Sequence, residues 1–210
     1  MPNGAAHLKR AFDIIVALVV SVLVSPIALV IVLWMVLRRD MPVLYVSERM
    51  KTVDQSFQLY KFRTMHPPKP GEYNDGVSGG DKASRISPLG RILRPYRLDE
   101  IPQLLNILRG DMSLVGPRPP VRRYTESHRE VYTEVLKSKP GVTGLASMVF
   151  YQHEERLLKA TTSPDETDTV YKRRCIPRKA KIDLIYQRNR SMCYDVLIMW
   201  KTLGKVLTRD

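Results

Sequence analysis

Hydrophobic and polar positions divide the chain into two unequal parts. From Ile14 to Leu37 no residue is charged. At about 1.5 Å of rise per residue, a helix over this run could cross the roughly 30 Å hydrocarbon core of a bilayer. Lys9-Arg10 precede the run and Arg38-Arg39 follow it, so the positive-inside tendency draws both ends to the cytoplasm. Ser25-Pro26 stands near its middle, where proline removes a backbone donor and bends a helix. Two topologies fit: a kinked spanning helix, and a re-entrant helix that enters, turns at Ser25-Pro26 and returns. The run is too long for a secretory signal, and no small-residue cleavage site follows it.

Beyond residue 40 the pattern breaks into short pieces. Val43-Leu44-Tyr45-Val46 and Phe57-Gln58-Leu59-Tyr60 read as strands. Residues 66–84, rich in Pro, Gly, Asp and Lys, predict a mobile loop. Leu89, Ile92 and Leu93, with Arg91 and Arg94 between them, predict a helix over 87–93 for an ordinary surface or for lipid headgroups. A second helix is expected over 101–108, packing Leu104, Leu105 and Leu108 and stopping at Gly110. Residues 122–139 read as a solvated helix, 140–144 as a turn, 153–159 as a short charged helix and 161–168 as a polar loop. Val196, Leu197, Met199, Trp200, Leu203, Val206 and Leu207, opposite Lys201 and Lys205, predict an amphipathic helix over 195–207. Most of that helix is expected in the core.

Charge narrows the partners. Lys and Arg total 34 against 21 Asp and Glu, a formal charge of +13, which suits nucleic acid, phospholipid headgroups or a phosphorylated substrate. A chain of 210 residues accommodates one domain plus an anchor. Cys175 and Cys193 form no Cys-x-x-Cys pair and read as reduced thiols. There is no Gly-x-Gly-x-x-Gly, Walker loop, His-Glu-x-x-His or Asp-x-Asp.

Three stretches carry candidate chemistry. In Arg94-Pro95-Tyr96-Arg97-Leu98-Asp99-Glu100-Ile101-Pro102, Pro102 fits a first helical turn and Asp99 reads as its N-cap. Backbone amides and the helix dipole there favour an ionised carboxylate and also attract phosphate. Next to a lipid surface this suggests phosphoryl chemistry; the plain alternative is an ordinary capping Asp. Lys61-Phe62-Arg63 puts two cations around an aromatic residue, for phosphate contact or merely a basic strand end. Arg118 lies between Pro117 and Pro119-Pro120, behind Gly116. A restrained guanidinium suits bidentate grip on a diphosphate, or else it marks a rigid turn with a surface arginine.

In order along the chain, Lys9-Arg10 with Asp13, Ser25-Pro26, Lys61-Phe62-Arg63-Thr64-Met65, Leu98-Asp99-Glu100-Ile101-Pro102-Gln103, Asn106, the 110–119 stretch Gly-Asp-Met-Ser-Leu-Val-Gly-Pro-Arg-Pro and Pro140-Gly141-Val142-Thr143-Gly144 resemble the bacterial sugar transferases called monotopic phosphoglycosyl transferases, in their minimal catalytic form. The resemblance implies a mostly helical α/β fold with few short strands: residues 1–40 as a re-entrant membrane hairpin at Ser25-Pro26, and 41–210 as a compact cytoplasmic catalytic domain with interfacial amphipathic helices. It implies transfer of a phosphosugar from a UDP-sugar to polyprenyl (undecaprenyl) phosphate at the cytoplasmic face of the bacterial inner membrane, initiating surface-glycan assembly. Asp99 would be the nucleophile, forming an aspartyl-phosphosugar with release of UMP, and Glu100 its dyad partner. Asp99 and Glu100 would hold magnesium. Arg94, Arg118, Lys61, Arg63, Gln103 and Asp183 would bind substrate. No nucleic acid is expected as partner.

The pattern is partial near the C-terminus. Asp183, Tyr186, Ser191 and Asp195 keep the family's spacing, but residues 147–155 replace its usual Gly-Arg-Asn, so the sugar is not assigned. Two rivals remain. A membrane-tethered basic protein could hold anionic lipid or nucleic acid without catalysis, although little aromatic residue is interleaved for base stacking. A single-step enzyme that moved only the sugar would release UDP.

Overall fold

The computed structural model describes residues 3–68, 77 and 79–208, and the side chains of all of these except 3–5, 81, 206 and 207. Residues 69–76 and 78 of the loop expected over 66–84 therefore lie outside the described residues, as do the side chains of Val206 and Leu207. The end of that loop is ordered, as a 3-10 helix over Gly80–Arg85.

The long apolar run forms α1, Asn3–Leu37, with Pro26 inside it. Proline leaves the carbonyl four residues back without its helical donor; Ser25 Oγ supplies one, donating to Val22 O at 2.8 Å. The helix continues through Pro26 and contains no unwound turn there. Both of its halves pack on the rest of the protein. Ala17 joins Ile107, Met112 and Leu114 in one buried cluster, whereas Ile31 and Met35 join Phe62 and Leu93 in another. Between these anchors Leu18, Val19, Val22, Leu23, Ile27, Leu29 and Val30 are exposed. Burying such side chains is worth about 1.5–3 kcal/mol each, and a contiguous apolar surface of this kind marks an interaction site, here fitting lipid tails.

Among the described residues four short strands accompany the helices, as expected of a mostly helical protein. β1 (Leu44–Met50) and β2 (Ser56–Phe62) form an antiparallel hairpin in register from Leu44 opposite Phe62 to Met50 opposite Ser56. Next come α2 (Pro88–Leu93), capped by Ser87 Oγ, and α3 (Gln103–Arg109). Gly110 ends α3 in the left-handed region at φ 87°, and Arg10 reaches the last carbonyls, bonding Ile107 O at 2.6 Å and Leu108 O at 3.0 Å. β3 (Ser113–Val115) pairs in parallel with β4 (Gly141–Thr143). The expected turn over 140–144 is thus in part a strand. A Cβ on Gly116 would lie 2.1 Å from Lys139 O, so only glycine lets the two segments approach this closely.

Other expectations change as well. The solvated helix over 122–139 is two short helices, α4 (Arg122–Ser127) and α5 (Arg129–Val135), broken at His128. They bury Tyr124, Thr125, Tyr132 and Val135, because aromatic residues among the charges supply a core face. α6 runs from Leu145 to Lys159, well beyond the charged tail expected. The polar loop is α7 (Pro164–Val170), where Ser163 Oγ accepts from Glu166 N and Glu166 Oε2 accepts from Thr162 N, a reciprocal cap. A π-helical turn over Tyr171–Cys175 leads into α8 (Ile176–Asn189). In α9 (Met192–Thr208), Ile198 is buried while Val196, Leu197, Trp200 and Leu203 are exposed; the packed face is narrower than the periodicity suggested.

A buried polar network joins α1 to the body. Lys9 Nζ donates to Asp195 Oδ2 at 2.5 Å, and Asp13 accepts from Ser113 Oγ at 2.8 Å and Leu114 N at 3.2 Å. The Tyr186 hydroxyl donates to Asp195 Oδ1 at 2.7 Å. These bonds fix α1 against β3, which leads directly to Gly116 and Arg118.

Candidate active site

The site is built by a tight reversal of the chain. Two 3-10 turns, Arg94–Tyr96 and Leu98–Glu100, meet at Arg97, which is left-handed at φ 55°. This conformation is costly for a residue with a Cβ, by about 1–3 kcal/mol. Arg97 is held by its N–H to Arg94 O and by its own guanidinium, which bonds Glu100 Oε2 at 2.8 Å. The reversal turns Asp99 and Glu100 inward, leaving them 8% and 7% exposed. Asp99 is therefore not an N-cap. It sits inside the second turn, and α3 begins only after Pro102.

Glu100 is the electrostatic centre. Lys61 Nζ and Arg118 Nη2 bond its Oε1 at 2.7 and 3.1 Å, and Arg97 takes the other oxygen. Burial opposes its ionisation, but Lys61, Arg97 and Arg118 together hold the carboxyl well below its usual range. Lys61 is brought here by β2. That strand is clamped by buried Asn106, which accepts from Tyr60 N at 3.1 Å and donates to Gln58 O at 2.7 Å, satisfying backbone groups that a neighbouring strand would otherwise take. Burial pushes the Lys61 amine down, and Arg118 reinforces this against Glu100.

Asp99 contrasts with its neighbour. Its carboxylate makes no hydrogen bond or ion pair among the described residues, while Arg94, Lys61 and Arg118 lie close enough to lower its pKa. Burial wins, with help from Glu100, and the pKa is raised. That reverses the expectation from the helix dipole: a three-residue turn has little dipole, and desolvation dominates. One carboxyl is saturated with cations and the other is free to react.

The remaining expected residues divide. Arg94 lies beside Asp99, with Nη1 buried and without a partner. Gln103 is buried one helical turn beyond Asp99. Arg63 is instead paired with Asp40. Asp183 lies on α8 near Lys179, Glu154 and the Ala146 amide, and it reaches the arginines only indirectly, through Glu154, whose charge acts on Arg118. Ser25 and Pro26 are in α1, in its exposed stretch. Sequence reasoning missed Arg97, Arg49, Tyr151 and the buried Lys179–Glu154 pair at 2.9 Å. Arg97 had a signal, its i,i+3 spacing from Glu100; Arg49, Tyr151 and Glu154 had none, because their approach to Arg118 is purely tertiary.

Among the described residues no group of three His, Cys, Asp or Glu could hold a metal by itself. Glu100 has given its oxygens to three cations, so of the two carboxylates expected as metal ligands only Asp99 is left unengaged. One free carboxylate beside a cluster of cations suits a magnesium ion that arrives with phosphate oxygens, as such ions commonly keep only one or two protein carboxylates.

Residues 4–209 match the family model for bacterial sugar transferases. The chain is 32% identical over 97% of its length to the UDP-N-acetylgalactosamine-undecaprenyl-phosphate N-acetylgalactosaminephosphotransferase of Aeromonas hydrophila. It is 34% identical over its whole length to the UDP-glucose:undecaprenyl-phosphate glucose-1-phosphate transferase of Caulobacter vibrioides. The undecaprenyl-phosphate galactose phosphotransferase of Salmonella typhimurium is 34% identical over 99% of the chain. The chain spans 44%, 74% and 42% of these three relatives, respectively.

Proposed function

The chain belongs to the bacterial sugar transferase family, and from that premise we propose that it transfers a sugar phosphate from a UDP-sugar to a polyprenyl phosphate, undecaprenyl phosphate in particular. In the first half-reaction an Asp99 oxygen attacks the sugar-bearing phosphorus. The bond from that phosphorus to the bridging oxygen breaks, UMP leaves with the electron pair, and an aspartyl-phosphosugar remains. In the second, an oxygen of the lipid phosphate attacks the same phosphorus and Asp99 departs as carboxylate. Two steps let a water-soluble donor and a membrane-bound acceptor use one site in turn.

One observation carries this reading. Asp99 is an unengaged carboxyl amid Arg94, Lys61 and Arg118, while the adjacent Glu100 fixes Lys61 and Arg118 in place. The cations offset the charge of the incoming diphosphate, and the paired Glu100 cannot compete as nucleophile. Magnesium held by Asp99 and the diphosphate would add charge neutralisation. The membrane reading is supported by the exposed apolar middle of α1, its basic flanks and the exposed face of α9. A re-entrant α1, with both ends at the cytoplasmic face of the inner membrane, is supported by the packing of both halves on one body.

The test is Asp99→Asn assayed with UDP-sugars, polyprenyl phosphate and magnesium. Folding and membrane insertion should persist, UMP release should vanish, and the wild-type enzyme quenched with donor alone should carry the phosphosugar adduct on Asp99. Turnover by the variant at the wild-type rate refutes the assignment. UDP as the product would mean direct sugar transfer.

A further inference from the structure

Arg49 is a partly buried guanidinium without a counter-ion. It lies near the end of β1, and both of its neighbours are tied to the segment that follows Arg118. Glu48 bonds Arg122 at 2.6 Å, and Met50 N donates to Pro120 O at 3.0 Å. The Arg49 side chain makes no hydrogen bond or ion pair among the described residues. The groups near enough to act on its charge include Arg118, Tyr45, Tyr124 and Tyr171; Tyr171 also acts on Arg118. Burial and the Arg118 charge both press against its ionisation. Arg118 in turn makes one bond among the described residues, to Glu100 Oε1 at 3.1 Å, which leaves the rest of its five-donor fork open.

Arg49 and Arg118 press on each other through their charges, and among the described residues no carboxylate pairs with Arg49, an arrangement that a bound anion would relieve. The tyrosines supply hydroxyls but no charge. Lys61, Arg97 and Arg118 share Glu100 and Arg94 lies beside Asp99, whereas the Arg49 side chain has no ion pair among the described residues. The geometry points to Arg49 and Arg118 as a two-arginine phosphate subsite, set between β1 and the Pro117–Pro120 segment, that grips a phosphate dianion beside the reacting carboxyl. This rests on the transfer reaction proposed above and adds a binding residue to it. Two phosphates could occupy the subsite, the donor's diphosphate and the acceptor's monoester, and a site used by both in turn would meet each of them.

The probe is inorganic pyrophosphate, titrated into the full-length protein in detergent and followed by thermal shift, a readout that needs no turnover. Arg49→Gln should weaken pyrophosphate about 10- to 100-fold, the range expected for losing hydrogen bonds to a charged group. Its melting temperature without ligand should equal or exceed that of wild type, since an unpaired charge has been removed. Arg49→Lys, which keeps the charge but not the fork, should fall between the two and serves if the Gln variant does not fold. Asp99→Asn should still bind pyrophosphate, so loss of the chemistry and loss of this subsite are separable. Steady-state kinetics then assign the phosphate: a lowered kcat/KM for UDP-sugar alone places the donor on Arg49, a lowered value for polyprenyl phosphate alone places the acceptor, and lowering of both means that each visits. Pyrophosphate affinity within twofold of wild type in Arg49→Gln overturns the subsite.

Discussion

Asparagine at position 183 should remove a pH dependence of stability that the wild-type protein carries. Asp183 is 7% exposed, and its Oδ1 has no hydrogen-bond partner. Burial pushes its pKa from 3.8 up to about 7; Lys179 and the Ala146 amide oppose the rise, and Glu154 adds to it. Below pH 3.8 the carboxyl is protonated in both folded and unfolded chains and costs nothing. As the pH rises toward 7 the unfolded chain loses its proton first, so stability falls by about 1.4 kcal/mol per pH unit. Above 7 both states are ionised and the penalty is constant, at about 4 kcal/mol for a shift of this size. Asp183→Asn keeps an acceptor for the Ala146 amide and cannot ionise. Urea unfolding in detergent micelles at pH 4 and pH 8 should show the variant gaining about 4 kcal/mol on wild type between the two conditions. That difference cancels any constant cost of the new amide. Parallel pH profiles for the two proteins would mean that Asp183 is already ionised when folded, and the burial argument would fail.

Two further outcomes follow from the site and the anchor. Because burial and Glu100 raise the Asp99 pKa against Lys61, Arg94 and Arg118, kcat/KM for UMP release should increase with pH through a midpoint above the ordinary aspartate value; a profile flat down to pH 4 contradicts this. In a Cys193→Ser background, Ala6→Cys and Met41→Cys should both react only when the cytoplasmic side is opened to an impermeant maleimide. Reaction of the two positions from opposite sides would make α1 a true span.

Some elements were legible because they depend on local chemistry. The length of α1, Pro26 and the basic flanks are written in consecutive residues, and so is Gly110 as a stop. The caps of α2 at Ser87 and of α7 at Ser163 and Glu166 were equally local and were passed over, the latter since the polar composition around it reads as loop. The split of α4 from α5, the burial of Tyr124 and Tyr132, and the pairing of β4 with β3 were not readable. Each depends on a partner far along the chain.

The sequence by itself determined that this protein carries a membrane-length apolar helix, a large positive charge, and an Asp-Glu pair in a family-specific setting. Those are properties of residue types and short spacings. Tertiary structure alone decided that Glu100 is held by Lys61, Arg97 and Arg118 while Asp99 is left unengaged, and that Arg49 and Arg118 come within range of each other's charge. Desolvation and Coulomb interaction depend on what surrounds a charge in space, and here those surroundings come from β1, β2, α6 and the Pro117–Pro120 segment together.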